Sequence, residues 1–176
     1  MYSQIATLAF VGVEARAVEV QVRITPGNPM FAIVGLALPA RRITVNLAPA
    51  DLPKEGSHYD LAIVLGLLVA MGVISPEAIS GYAAIGELAL DGSIRPVPGA
   101  LPAAIGANAI GKGLICPEAC GAEAAWAGET VDILAAPHLL SLVNHFKGLQ
   151  TLARPKPNLE RTGGPRPDLK DLRGQE

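Results

Sequence analysis

The sequence predicts an α/β (α+β) fold in which an antiparallel, strand-rich first half passes into a second half of alternating strands and helices. Three observations carry this. Residues 16–24 alternate strictly, with Val18, Val20, Val22 and Ile24 on one side and Glu19, Gln21 and Arg23 on the other, the period-two pattern of a half-buried strand. Asp91-Gly92, set between two apolar runs, is the strongest hairpin signal in the chain. From residue 100 onward, helix-like and strand-like segments follow one another as in βα units.

The elements follow in order. Residues 3–10 read as a strand, 12–14 as the turn into the alternating strand, and 25–29, with Pro26, Gly27 and Pro29, as a turn before a further strand at 31–34. Residues 42–47 alternate again and give another strand. A polar loop, 48–58, leads to an apolar helix at 59–71, where Ser57 is placed as the N-cap and Asp60 completes a capping-box-like pair. A strand at 82–90 and its return at 93–97 flank the Asp91-Gly92 turn. Helix 100–109, strand 113–116, helix 117–125, strand 131–135 and helix 137–146 complete the alternation.

Of the 176 residues, 50% are hydrophobic, 17% charged and 4% aromatic, with a formal net charge of −2. That length supports one sizeable core, and 19 glycines and 15 prolines describe short elements joined by tight turns. A mean hydropathy of +0.36 points to surfaces covered by a partner. The longest apolar stretch, residues 61–74, is too short to span a bilayer, and the first thirteen residues lack the basic start of a signal peptide. Two cysteines make no disulfide framework, so a cytoplasmic protein with reduced thiols is expected. Residues 148–176 carry a net +2 and four prolines, against −4 for the preceding 147 residues. They read as an interdomain linker after a domain at 1–147, with a further domain expected beyond.

Several residue groups invite a chemical reading. Asp51, Ser57, His58 and Asp60 hold the residue types of a Ser-His-Asp triad within ten positions, yet a triad is assembled from distant segments, and capping already accounts for Ser57 and Asp60. Gly106-Ala-Asn-Ala-Ile-Gly-Lys-Gly113 falls one residue short of a phosphate-binding loop. It ends in glycine where Ser or Thr must hold Mg²⁺, and it closes a helix rather than opening one. Gly111 fits a helix C-cap instead, with Lys112 as a favourable charge at that end. Cys116 and Cys120 have ligand-like separation, but His58, His138 and His145 show no zinc-site spacing with them, so they are expected to be buried small residues. His138 and His145 are expected at the surface. Arg41, Arg42 and Lys54 are the cations placed to meet phosphates or a neighbouring subunit, although a net −4 on the core argues against a broad nucleic-acid surface.

Arg42-Ile-Thr-Val-Asn-Leu-Ala-Pro-Ala-Asp-Leu-Pro-Lys-Glu-Gly56, followed by Tyr59-Asp-Leu, resembles the N-terminal domain of the magnesium-chelatase-like AAA+ ATPases of the ComM/YifB type. Phe31-Ala-Ile-Val-Gly-Leu36 and Ile85-Gly-Glu-Leu-Ala-Leu-Asp-Gly92 match as well, and the resemblance covers most of residues 2–147. It implies a fold like the Lon proteolytic domain and the second domain of ribosomal protein S-five. Aligned on the Lon pattern, the nucleophilic serine falls at about His58 and its lysine partner at about Leu101; neither can serve, because the chemistry needs a hydroxyl and an amine. Relatives carry an extra helix rich in Arg and Glu where Gly35-Leu36 here runs almost directly into Arg41, so a discontinuity is expected near Leu36 to Ala40.

The resemblance further implies a non-catalytic accessory or assembly domain, with no catalytic, cofactor or metal site of its own. Its parent would be a ring-forming ATPase, a homo-oligomer in the form of a hexamer, acting on DNA in recombination and branch migration during competence. ATP and Mg²⁺ would be held by an AAA+ module further along, and no membrane partner is implied. A Lon-like serine hydrolase with a displaced dyad and a chelatase-type subunit are the alternatives.

Overall fold

The computed structural model describes residues 1–26, 41–52 and 54–158. The expected strand at 31–34, the junction near Leu36 to Ala40, the side chain of Arg41, Pro53 and residues 159–176 lie outside the described residues. Among the described residues the strands are β1 (Tyr2–Val11), β2 (Glu14–Pro26), β3 (Arg41–Ala48), β4 (Tyr82–Ala84), β5 (Glu87–Leu88), β6 (Ile94–Arg95), β7 (Gly113–Pro117) and β8 (Ile133–Ala136). Six of them form one mixed sheet in the order β3-β2-β1-β4-β7-β8. The β1–β2 and β2–β3 pairs are antiparallel, and β1–β4, β4–β7 and β7–β8 are parallel. The antiparallel first half and the alternating second half therefore meet at the β1–β4 seam. β5 and β6 form a separate hairpin closed by Asp91-Gly92.

Helices cover both faces. On one face lie α1 (Asp60–Ala70), the short α2 (Pro76–Ile79) and, further along the chain, a helix at Leu139–Phe146. They pack against Ile5, Val20, Val22, Ile24, Ile115 and Leu134. On the other face lie α3 (Ala100–Ala109) and α4 (Gly121–Ala124), against Leu8, Ala83, Ile85, Leu114, Cys116 and Ile133. The helix at Leu139–Phe146 is α5. Both main helices reach the sheet through a glycine. A Cβ on Gly66 of α1 would lie 2.8 Å from Val22 Cγ2, and one on Gly106 of α3 would lie 2.9 Å from Ala15 Cβ. These distances leave no room for a side chain, so the two glycines set how closely each helix can approach. Ser3 and Thr7 are buried in β1, and their hydroxyls donate to the carbonyls of Gly66 (2.6 Å) and Ala84 (2.7 Å). Each buried hydroxyl is thus satisfied across an element boundary.

Two expectations need correction, and two further features stand beside them. The strand at 82–90 is interrupted, because Gly86 leaves the sheet and binds the start of α1: its carbonyl accepts from Leu61 N–H (3.0 Å) and its amide donates to the His58 carbonyl (2.9 Å). The helix at 117–125 is broken into two 3-10 turns, Glu118–Cys120 and Ala125–Ala127, around the single turn of α4. α2 had no expectation attached to it, although Ser75 caps it by accepting from Ala78 N–H at 3.3 Å and Pro76 opens it. Finally, the packed body continues past Lys147. Leu152 N–H donates to His145 Nδ1 (3.2 Å), Leu152 packs on the core, and the Arg154 guanidinium donates to the carbonyls of Gly128 (3.2 Å) and Val131 (2.8 Å). Among the described residues, no helix is long and apolar enough to cross a membrane.

Candidate functional site

A grouping of polar side chains stands where α1 begins. The chain enters it through a 3-10 turn, Ser57–Tyr59, so Ser57 is not the N-cap of α1; Tyr59 occupies that position and makes no side-chain cap. The expected capping pair is replaced by a tie to the β5 hairpin. Ser57 Oγ donates to Glu87 Oε2 at 2.5 Å, and Asp60 Oδ2 accepts from Leu88 N–H at 3.5 Å. The backbone of Gly86 takes over the satisfaction of the helix start that the cap was expected to supply.

His58 faces inward from the same turn. Its Nε2 lies 3.2 Å from the Leu8 carbonyl. A carbonyl only accepts, so Nε2 carries the proton and Nδ1 is the acceptor in the neutral ring. The ring centroid stands 5.2 Å from that of Phe10 and 3.9 Å from that of Tyr59. Burial holds its pKa below the ordinary 6.5, against the opposing effects of the Leu8 carbonyl and Asp60. Asp60 is pushed above 3.8, first by burial; the Leu88 amide opposes this, Glu87 adds to it and His58 opposes it.

A cavity of about 380 Å³ opens beside His58, lined by Phe10, Glu55, Ser57, Tyr59, Val97 and Pro98 among others. The loop before α1 and the loop before α3 converge here. They meet at Val97 and Pro98, and Leu101 is not part of the lining. It sits one step into α3, where its amide donates to Glu123 Oε1 at 3.1 Å. Phe10 fills the space between, packed against Gly99 at the head of α3. Lys54 folds back on its own loop, its ammonium donating to the carbonyls of Pro49 and of Leu52 (3.0 Å). With Ser57 on Glu87 and Lys54 on carbonyls, neither a Ser57–Lys54 nor a Ser57–His58 pair is formed. Asp51 lies exposed in the preceding loop and Arg42 is exposed on the edge strand.

The other candidates take structural places. Gly111 (φ 70) ends α3: its amide donates to the Asn108 carbonyl and that of Lys112 to the Ala107 carbonyl, both at 2.9 Å. This is a Schellman motif, and it turns those amides inward, away from any anion. Lys112 Nζ donates to the Ser80 carbonyl. Cys116 and Cys120 are free and buried, and burial pushes Cys116 to about 12. No group of three metal-ligating side chains occurs among the described residues. The two C-terminal histidines are fastening points rather than bare surface. His138 Nδ1 accepts from Leu140 N–H (3.1 Å) at the head of α5 while Nε2 meets the Asp91 carbonyl (2.9 Å), and His145 holds residue 152. Glu87, Glu123 and Phe10 were not singled out in the sequence. Each acts across a long separation, and only the Gly86-Glu-Leu run, already notable in the resemblance, signalled Glu87.

Residues 37–120 match the family model described as subunit ChlI of Mg-chelatase. The chain is 36% identical over 196 residues to the uncharacterized protein YifB of Escherichia coli, covering 99% of this chain and 38% of YifB. It is 34% identical over 165 residues to the competence protein ComM of Haemophilus influenzae, covering 82% of this chain and 32% of ComM. An uncharacterized protein of Mycobacterium tuberculosis is 30% identical over 190 residues, covering 96% and 38%. The chain thus spans less than two fifths of the length of these relatives. The match to YifB runs over 196 residues against a chain of 176, so at least 20 positions there have no counterpart here.

Proposed function

The chain belongs to the magnesium-chelatase-like family of YifB and ComM, and from that membership we propose that it is the non-catalytic accessory and assembly domain of a ring-forming AAA+ ATPase. In this reading ATP and Mg²⁺ are bound by a module further along the parent polypeptide. This domain positions subunits or guides DNA during recombination and branch migration. A three-stranded antiparallel half continued by a parallel half, with helices on both faces, supports the Lon-like descent of the fold.

One observation carries the reading. At the place where a Lon-type protease needs a hydroxyl and an amine, this chain has His58, with Nε2 bound to Leu8 and its ring held between Phe10 and Tyr59, and the neighbouring Leu101 amide is bound to Glu123. The nearest serine, Ser57, is hydrogen-bonded to the Glu87 carboxylate of a separate hairpin, and neither His58 nor Lys54 is bonded to its hydroxyl. ATPase and DNA-unwinding assays on the full-length protein, with and without residues 1–147, test the assignment. The isolated chain should not bind ATP by calorimetry. Micromolar affinity abolished by Lys112→Ala would overturn it, as would labelling of Ser57 by a serine-reactive probe.

A further inference from the structure

The stretch after α5 was read as an interdomain linker, and its residues 149–157 are fastened along the domain. His145 takes the Leu152 amide, Arg154 reaches two carbonyls of the turn after Trp126, and the Pro155 ring lies against Gly121, where an added Cβ would stand 3.0 Å from it. These contacts carry the chain to one place. There, Trp126, Gly128, Glu129, Arg154, Pro155 and Pro157 border an open groove of about 530 Å³. Trp126, the single tryptophan of the sequence, is 48% exposed at its edge. A large aromatic held half in water beside rigid prolines is the surface type that protein interfaces favour.

We propose that the Trp126 groove seats the module that follows this domain in the parent polypeptide, with the fastened residues 149–157 acting as a rail that delivers it there. The inference rests on the accessory-domain reading, since it requires such a module. The choice of occupant comes from two facts. The matched region takes up only 38% of YifB, and residues 154–157, near the C-terminal end of the described stretch, line the groove itself. A module tethered at that point has a high effective concentration over Trp126, which a separate partner would lack. Other exposed apolar residues, such as Val13 on the β1–β2 turn and Leu90 on the hairpin, lie on elements without this link to residues 154–157.

Trp126 reports on its own surroundings. In the 176-residue chain its emission should be that of a partly hydrated indole and readily quenched by acrylamide. In the full-length protein, with any tryptophan beyond residue 176 replaced by phenylalanine, emission should shift to the blue. The quenching constant should fall by about half or more, because a half-exposed indole that becomes covered loses most of its access to the quencher. The protection should persist on dilution. Equal quenching in the two proteins would overturn the proposal, and so would protection that disappears on dilution, which would assign the groove to a second copy. The measurement needs no nucleotide, so an inactive ATPase would sink the functional reading and leave this result interpretable. A native product ending at residue 176 would remove the module, and with it the reading on which the inference stands, before any quenching is measured.

Discussion

The two faces of the sheet are filled by opposite means. Against α1 and α5 the core is built from long aliphatic side chains, with Leu61, Leu65, Leu68, Ile74 and Leu142 fully buried. Against α3 and α4 it is built largely from alanine, at positions 83, 100, 103, 104, 107, 124, 125 and 135. One face gains its burial from side-chain volume and the other from close approach of backbone to backbone. The difference teaches where each half is vulnerable. Removing volume should hurt the α1 face, and adding volume should hurt the α3 face.

The largest effect is expected at Leu65, which has no exposed surface in the α1 face. Leu65→Ala should destabilise the domain by about 2–5 kcal/mol, measured by urea denaturation. A loss well under that range would mean that the leucines do not interlock and that the contrast between faces is one of composition only. Next in size is Ala104→Leu, a fully buried alanine of α3. It should cost about 1–3 kcal/mol, because the added atoms meet a sheet that α3 already touches through Gly106. A neutral or stabilised Ala104→Leu would show a void under α3 and would break the comparison from its other side.

The same contrast explains what the sequence revealed. Alternation in β2 was legible because Val18, Val20, Val22 and Ile24 are buried on one face while Glu19 and Gln21 on the other meet polar neighbours such as Gln4 and Asn46. The helix at Ala100–Ala109 was legible at both ends, since a Schellman glycine is a local signal. Errors arose where distant backbone intervened. Ser57 looked like a cap because nothing nearby revealed that Gly86 would satisfy the helix start and that Glu87 would take the hydroxyl. The helix expected at 117–125 was read as one step of the alternation, whereas Gly121 is pressed between Ala135 and Pro155 and the chain there tightens into 3-10 turns. The site suffered in the same way. His58 could be picked out, but its partners Leu8 and Phe10 lie about fifty residues earlier in the chain.

A third substitution calibrates the other two without touching either face. Gly111 has φ 70, and a Cβ added there would meet nothing within 4 Å. Gly111→Ala therefore changes only the backbone, forcing an L-residue into the left-handed region at a cost of about 1 kcal/mol. If Gly111→Ala costs as much as Leu65→Ala, the losses at both core positions reflect a generally fragile fold rather than two modes of packing.

The smallest expected effect lies at the seam between the faces, where His58 touches Phe10, which packs with the α3 face, and Tyr59, which packs beneath α1. Its pKa in the fold is depressed below the ordinary 6.5, chiefly by burial. Above that value neither the folded nor the unfolded state binds the proton, and the histidine contributes its full stability. As the pH falls below about 6.5, the unfolded chain takes up the proton first and stability is lost until the folded-state pKa is passed. Asp60 works in the opposite sense. Its raised pKa gives a contribution that is full below 3.8 and lost as the pH rises through the folded value. Total stability therefore hides the histidine, and a difference is needed. His58→Gln keeps an N–H donor for the Leu8 carbonyl and removes the titration. The stability gap between wild type and His58→Gln should stay constant above about pH 7 and move in favour of the variant between about pH 6.5 and 5, read from urea midpoints at each pH. A gap that stays flat across that window would mean that His58 titrates as it does in the unfolded chain, and the seam would then be open to water rather than closed by the two aromatic rings.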